Sequence, residues 1–340
     1  MLVIAARSSS SGSTRRMLCL GFVLLHALLS SAVSGAEPAP GVHRIGYLHP
    51  GSATLAPIRL DPLRQGLREL GYVEGRNLVL EARWGEGNFE RLGAQAAELV
   101  QLKVAIIVTG GAAAAQAARG ATSAVSIVMV DPGDPVRTKL IASLRQPGGN
   151  MTGLSSATPD LAAKHLQLLK EAVPGLTRVG FLSNPNAPAG ALALEETEKA
   201  AVMLGVKVQP IEMRKAEELD DAFGALARAQ AKGLIVFADP LTFTLRQRIV
   251  QTAAHRGLPT VSGSREFVDA GGMMSYGPSF PEMFRQAAMY VDKLLHGAKA
   301  AELPVEQPTR FELVIDMKAA KSLGVTFPQS ILMRADAVIE

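Results

Sequence analysis

Residues 125–137, VSIVMVDPGDPVR, run apolar and β-branched and then stop at two aspartates and two prolines. Val125 to Val130 is apolar at nearly every position, the pattern of a strand buried on both faces of a parallel sheet. Proline cannot continue the ladder, so the chain turns and leaves Asp131 and Asp134 at the strand's carboxyl end. That is where open α/β sheets hold ligands. The same kind of ending recurs: His49-Pro50-Gly51-Ser52, Thr109-Gly110-Gly111, Ser183-Asn184-Pro185-Asn186, Ala238-Asp239-Pro240 and Ser262-Gly263-Ser264. Gly110-Gly111 also opens a helix whose first N–H groups can hold a carboxylate. Any one of these loops reads equally well as an ordinary turn. Six of them in two halves, with no catalytic set among them, point to a binding cleft. The candidate ligand-binding residues are Gly51, Ser52, Thr109, Gly110, Gly111, Ala112, Asp131, Asn184, Asn186, Asp239 and Ser262.

The vocabulary of catalysis is sparse. His43, His49, His165, His255 and His296 are scattered with no HxH or HExxH spacing, so they read as surface residues rather than metal ligands. There is no GxSxG elbow and no GxxxxGK[ST] loop, and Gly85-Glu86-Gly87 is a turn without the third glycine of a dinucleotide fingerprint. The paired acids Glu195-Glu196, Glu217-Glu218 and Asp220-Asp221 fall in helical stretches and read as solvated faces. No enzyme activity, metal or cofactor is expected.

The elements that would position these residues alternate from residue 43 onward. Strands are predicted at 44–50, 77–84, 104–111 and 125–130, and again at 178–185, 206–213, 233–240 and 258–263. Helices fall at 61–72, 89–103, 112–122, 136–144, 160–172, 190–204, 216–231 and 242–256. Asp134 is the expected N-cap of the helix at 136–144. Strands separated by amphipathic helices mean right-handed βαβ units and parallel sheets. Two such runs meet at a Pro/Gly-rich stretch near 147–159, which predicts two similar α/β domains. The end is less regular, with a helix at 279–297, a strand at 309–316 and short helices after it.

The first 36 residues differ from the rest. Arg7, Arg15 and Arg16 precede the apolar MLCLGFVLLHALL, and SSAVSGA follows, the layout of a secretory signal cleaved after Ala36. The apolar core falls short of the roughly 20 residues of a spanning helix. Thr14-Arg15-Arg16 leaves twin-arginine export open beside the default Sec route. Loss of three arginines would lower the net charge from +4 to +1, so the basic pI is no argument for nucleic acid. The only cysteine, Cys19, would leave as well, and stability would then rest on ordinary cores rather than disulfides.

EARWGEGNFERL (81–92), GDPV…LIASLRQPGGNMTGLS (133–155), MSYGPSFPEMFRQAAMYVDKLLHG (274–297) and the ending PVEQPTRFELVIDMKAAKSLGVTFPQSILMRADAVIE (304–340) together resemble one family. It is the ABC-transporter substrate-binding family of periplasmic-binding type I fold, which includes tryptophan- and tyrosine-type binding proteins. The resemblance implies two doubly wound parallel-sheet lobes, an interlobe cleft and three chain crossings near 155–160, 276–280 and 300–308. Residues 43–157 plus 278–303 would form one lobe and 158–277 plus 304–340 the other. It also implies an exported, periplasmic receptor that delivers a small molecule, an amino acid or related organic solute, to an inner-membrane ABC permease. The chain would act as a monomer, without nucleic acid. Tyr276, beside Gly277-Pro278 at a crossing, joins the candidates as a ligand or hinge residue, whereas Trp84 is better explained by packing. If the cargo is an amino acid, its carboxylate meets the amides around Gly110, Gly111 and Ala112, and Asp131 or Asp239 faces its ammonium. Asp131 is preferred because it ends the more apolar strand. Relatives commonly carry Thr-Pro where this chain has Ala112-Ala113, which weakens any transfer of amino-acid specificity.

An enzyme on a similar frame and a ligand-sensing receptor module are the rival readings. A sugar-repressor-like regulator would need a DNA-binding helix-turn-helix where the signal stands. If residues 1–36 are a cleaved signal, intact-mass spectrometry of the exported protein will give a chain starting near Glu37 without a thiol. A full-length chain held in membranes would overturn this.

Overall fold

In the computed structural model residues 41–156 and 158–340 are described; the expected signal segment with its cleavage point at Ala36, and Cys19, lie outside them. Strands β1 (His43–His49), β2 (Leu78–Trp84), β3 (Ile106–Gly110), β4 (Ser126–Val130) and β5 (Met151–Leu154) form one sheet in the order β2-β1-β3-β4-β5. Every pairing in it is parallel. The helices between them are α1 (Leu60–Glu69), α2 (Arg91–Gln101) and α3 (Gly111–Ala121). Successive side chains on a strand point to opposite faces, and here both faces are covered. Ile45, Tyr47, Val108 and Val128 pack with Leu63 and Leu67 on one side. Leu48, Ile107, Ile127 and Met129 pack with Leu92, Leu99 and Ala115 on the other. This is why the strands read as unbroken apolar runs rather than alternating ones.

The second sheet follows α4 (Thr158–Ala172). It contains β6 (Arg178–Ser183), β7 (Lys207–Glu212), β8 (Leu234–Val236), β9 (Thr260–Ser262), β10 (Met274–Gly277), β11 (Glu312–Asp316) and β12 (Ala337–Ile339) in the order β12-β11-β10-β9-β8-β6-β7. Its helices are α5 (Pro188–Leu204), α6 (Leu219–Arg228), α7 (Pro240–Thr244), α8 (Arg246–His255) and α9 (Arg265–Asp269). After β10 the chain enters α10 (Phe280–Leu295), which packs on α1, β4 and β5 of the first sheet. It then returns to β11, followed by α11 (Met317–Ser322) and α12 (Gln329–Leu332). The returning segment runs beside the outgoing one: Glu306 bridges Leu154, and the Ser155 N–H donates to the Glu306 carbonyl. The chain thus forms two doubly wound lobes and crosses between them three times. Among the described residues no helix is long and apolar enough to cross a membrane.

Several expectations need correction. The span 136–144 is a run of turns, not a helix. Asp134 Oδ1 does accept from the Val136 and Arg137 N–H groups, but Lys139 takes a positive φ of 57° and the turn ends there. The helix foreseen at 216–231 begins as a 3-10 turn and stops at Arg228, with Gln230 left-handed. That at 242–256 is broken at Leu245 into α7 and α8. The second sheet is not wholly parallel, since β10 and β11 run antiparallel. Strands β5, β10 and β12 and helix α9 leave no mark in the sequence pattern; each has three to five residues, too few for a period to show.

Gly153 holds β5 against β4. It takes φ +132°, and a Cβ there would overlap the Met129 carbonyl oxygen and lie 2.6 Å from the Met129 nitrogen. Gly153→Ala is expected to cost at least about 1–3 kcal/mol, as overpacking does. Urea denaturation measures it, and an unchanged midpoint would mean that β5 slides without penalty.

Candidate ligand-binding cleft

The carboxyl ends of the two sheets face one cavity. The first lobe contributes His49, Pro50, Arg59, Phe89, Gly110 to Ala113 and Asp131, and the second Ala187 to Ala189, Phe237 to Pro240 and Phe243. The space open to the centre of a water molecule is about 70 Å³ and the whole empty volume, open mouth included, is about 660 Å³, within the range of small-ligand clefts. Helices α3 and α5 both open on it. Their N-caps, Gly110 and Ala187, supply no side-chain hydrogen bond. At α3 the first-turn N–H groups and the positive end of the helix dipole are therefore left for an acceptor in the cavity. At α5, by contrast, Pro188 has no N–H and the Gly190 N–H donates to the Ala187 carbonyl, which leaves the N–H of Ala189.

Gly110 is glycine for a reason beyond its amide. A Cβ there would overlap Cδ2 of His49 and sit 3.0 Å from Nε2, so the imidazole edge occupies the space a side chain would need. Gly111 takes φ +77°, the left-handed region that favours glycine. His49 is 6% exposed, which overturns its reading as a surface residue, and His165 is buried too. The His49 Nδ1 accepts the Gly51 N–H at 2.9 Å, so the neutral ring carries its proton on Nε2. Burial, with the nearby Arg59 guanidinium second, lowers its pKa to about 3. The His165 Nε2 lies 2.6 Å from the Tyr276 carbonyl, and burial lowers its pKa to about 4.

Arg59 was not anticipated. It precedes α1, is 6% exposed, and its guanidinium lies 4.6 Å from the ring centroids of both Phe243 and Phe280. Nη1 donates to the Ile58 carbonyl and to Glu266, the latter at 3.5 Å. Phe89, Phe237 and Phe243 were missed as well. The only signal for Arg59 was a lone cation within the apolar stretch TLAPIRL, just before a helix.

The two aspartates singled out at strand ends differ in their engagements. Asp131, half-buried at φ 58°, lines the cavity while its N–H donates to the Leu154 carbonyl. Asp239 also lines it, but is 3% exposed and both carboxylate oxygens are engaged by backbone. Oδ1 accepts from the Leu241 and Thr242 N–H groups as the cap of α7, and Oδ2 accepts from Asn184 N–H at 2.9 Å. Burial raises its pKa to about 6, and those hydrogen bonds work against the rise.

The remaining candidates stand off the cavity wall. The Gly51 N–H serves His49, and Ser52 Oγ accepts the Thr54 N–H. Thr109 and Ser262 are buried. Asn184 Oδ1 accepts the N–H of the exposed Asn186. The Tyr276 ring lies 6.0 Å from Phe311. Trp84 packs 5.2 Å from Tyr47 and 5.3 Å from His49, against the cores of both lobes. Glu195 and Glu196, expected to be merely solvated, pair with Arg137 of the other lobe at 2.9 and 3.0 Å.

Two α/β lobes closing on a cavity at their strand ends define a solute-binding architecture. Residues 57–339 match the family of ABC transporter substrate binding proteins, and the chain belongs to that family. It is similar to a tyrosine-binding protein of Clostridioides difficile (strain R20291), 23% identical over 270 residues, 78% of this chain and 77% of that one. A conserved domain protein of Vibrio cholerae superposes with TM-score 0.83 at 26% identity, covering 87% of this chain and 99% of that one. An ABC domain from Streptococcus pneumonia in complex with L-Trp gives TM-score 0.82 at 24% identity, covering 88% and 100%.

Asp239→Ala is expected to lower ligand-free stability by about 1–3 kcal/mol, the cost of leaving buried donors unpaired. The pH dependence has a definite sign. With the folded pKa raised from 3.8 to about 6, the stabilising contribution of this group is complete below 3.8 and fades as pH rises through about 6. The stability gap between wild type and variant, read by urea titration, should therefore narrow from pH 4 to pH 7. A widening gap would contradict this.

Proposed function

We propose that this protein is an exported carrier that captures an amino acid in the cleft and passes it to an ABC permease of the inner membrane, by binding and release rather than turnover. One observation carries the reading: the uncapped N-terminus of α3 and the carboxylate of Asp131 border the same cavity, as the two charged ends of a zwitterion require. The N–H groups of Gly111 and Ala112 take the carboxylate, and Asp131 takes the ammonium. Phe89, Phe237 and Phe243 offer an apolar wall for the side chain. The binding of tyrosine and of L-Trp by the relatives named above supports an aromatic cargo. Residues 43–157 plus 278–303 form one lobe in this reading, and 158–277 plus 304–340 the other. Removal of residues 1–36 would leave a periplasmic monomer.

A thermal-shift screen of the twenty L-amino acids tests the reading. Ligand at a hundred times its Kd stabilises by about 2.7 kcal/mol, a rise in Tm of roughly 5–10 °C for lobes of this size. Asn tolerates the positive φ at residue 131, so Asp131→Asn keeps the backbone turn and removes only the charge. Losing one partner of a buried charge pair costs roughly 2–5 kcal/mol, so it should weaken the hit at least about thirtyfold. Hits confined to acids lacking an amine, with Asp131→Asn binding normally, would overturn the amino-acid reading.

A further inference from the structure

We propose that His49 is a specificity residue: its Nε2–H joins the first-turn N–H groups of α3 in one seat built for a carboxylate. The inference rests on the cleft being the ligand site and adds the side chain that chooses the ligand's acidic end. Three independent features converge on it. First, the tautomer is set by the chain itself, because the Gly51 N–H occupies Nδ1 and leaves the proton on Nε2. Second, that donor has no hydrogen-bond partner among the described residues, although His49 is 94% buried and lines the cavity. Third, the ring edge presses on Gly110, with Nε2 3.0 Å from where a Cβ would sit, so the donor stands beside the N-cap of an eleven-residue helix whose own cap offers no side chain.

The ring is also held in place. It stacks parallel to Tyr47 at 6.1 Å between centroids and packs 5.3 Å from Trp84. A donor whose orientation is already fixed loses little entropy when it meets its acceptor. The Arg59 guanidinium lines the same cavity and adds positive potential on this side. Nδ1 is already taken, so His49 offers an incoming group a donor and no acceptor. A carboxylate fits, with one oxygen on Nε2–H and the other on the Gly111 or Ala112 N–H. A carboxamide would turn its NH₂ toward donors.

Calorimetry with L-tryptophan, L-tyrosine, their carboxamides, indole-3-acetate and 4-hydroxyphenylacetate tests this on wild type, His49→Phe and His49→Gln. His49→Phe keeps an aromatic ring for packing but removes the donor. It should weaken the acids about ten- to hundredfold, as loss of a hydrogen bond to a charged group does, and change the carboxamides far less. His49→Gln, which retains a donor, should recover part of the preference for acids. Equal loss for acids and carboxamides would make the ring a packing element only and overturn the proposal. So would wild type that binds carboxamides as tightly as acids. Should His49→Phe not fold, NMR of the wild type with ¹⁵N-histidine decides: the Nε2 resonance must shift with the acid bound, and an unshifted resonance overturns the seat. If the amine-free acids bind as well as the amino acids and depend on His49, the seat stands and the amino-acid reading falls. If amino acids bind with no dependence on His49, that reading stands and the seat falls.

Discussion

A guanidinium buried between two phenylalanine rings is the contact on which the closed cleft depends. Arg59 belongs to the first lobe, and so does Phe280 beneath it, whereas Phe243 and Glu266 come from the second. Burying a cation costs several kcal/mol unless it is paired and hydrogen-bonded. Here Glu266, the Ile58 carbonyl and the faces of the rings meet that cost together. Drawing the lobes apart must separate Arg59 from Glu266 and Phe243, so the charge partner of the cation and one of its two ring faces exist only with the lobes together. Leu55 reinforces this by inserting into the hydrophobic core of the second lobe. At the surface, Arg137 reaches Glu195 and Glu196 across the gap, but exposed pairs of this kind contribute little.

The cavity beneath Arg59 is polar by backbone more than by side chain. Two helix N-termini reach it without caps, whereas α7, which also reaches it, is capped by Asp239 through a reciprocal box with Thr242. The distinction separates two aspartates of identical chemistry. Asp239 spends its oxygens on the backbone of its own lobe, including the Asn184 amide 55 residues away in sequence. Asp131 ends an apolar strand on a left-handed residue at the cavity wall. A third helix end with its own carboxylate keeps the second lobe's loops rigid, and rigid loops keep a small site defined.

Burial also changes what the histidines are. His49 and His165 would titrate near neutral pH in water, but loss of solvent holds both rings neutral well below that range. Each then serves as a directional hydrogen-bonding group. His165 holds the carbonyl of Tyr276 just before the chain leaves the second sheet for α10, so a buried ring steadies one of the crossings.

Much of the architecture was legible in the residues alone, because it rests on local pattern. Apolar runs ended by Pro, Gly and Asp marked β1, β3, β4, β6 and β8, and the intervening periodicity marked the helices that cover them. The strand ends that carry Gly110, Asp131 and Asp239 could be named from the same rule. What local pattern cannot carry is the identity of partners far away in the chain. Arg59 meets Glu266 across 207 residues, and nothing near either residue announces the other. The four-residue strands MTGL and MSYG become strands only because neighbouring edges offer them hydrogen bonds. The five histidines that follow the expected signal segment looked alike in sequence, and only packing separated the two buried ones from the rest. Composition and periodicity therefore determined the two-lobe α/β frame and the place where a ligand site should lie. The tertiary structure decided which polar groups face it, because burial and pairing are properties of surroundings that the chain assembles only on folding.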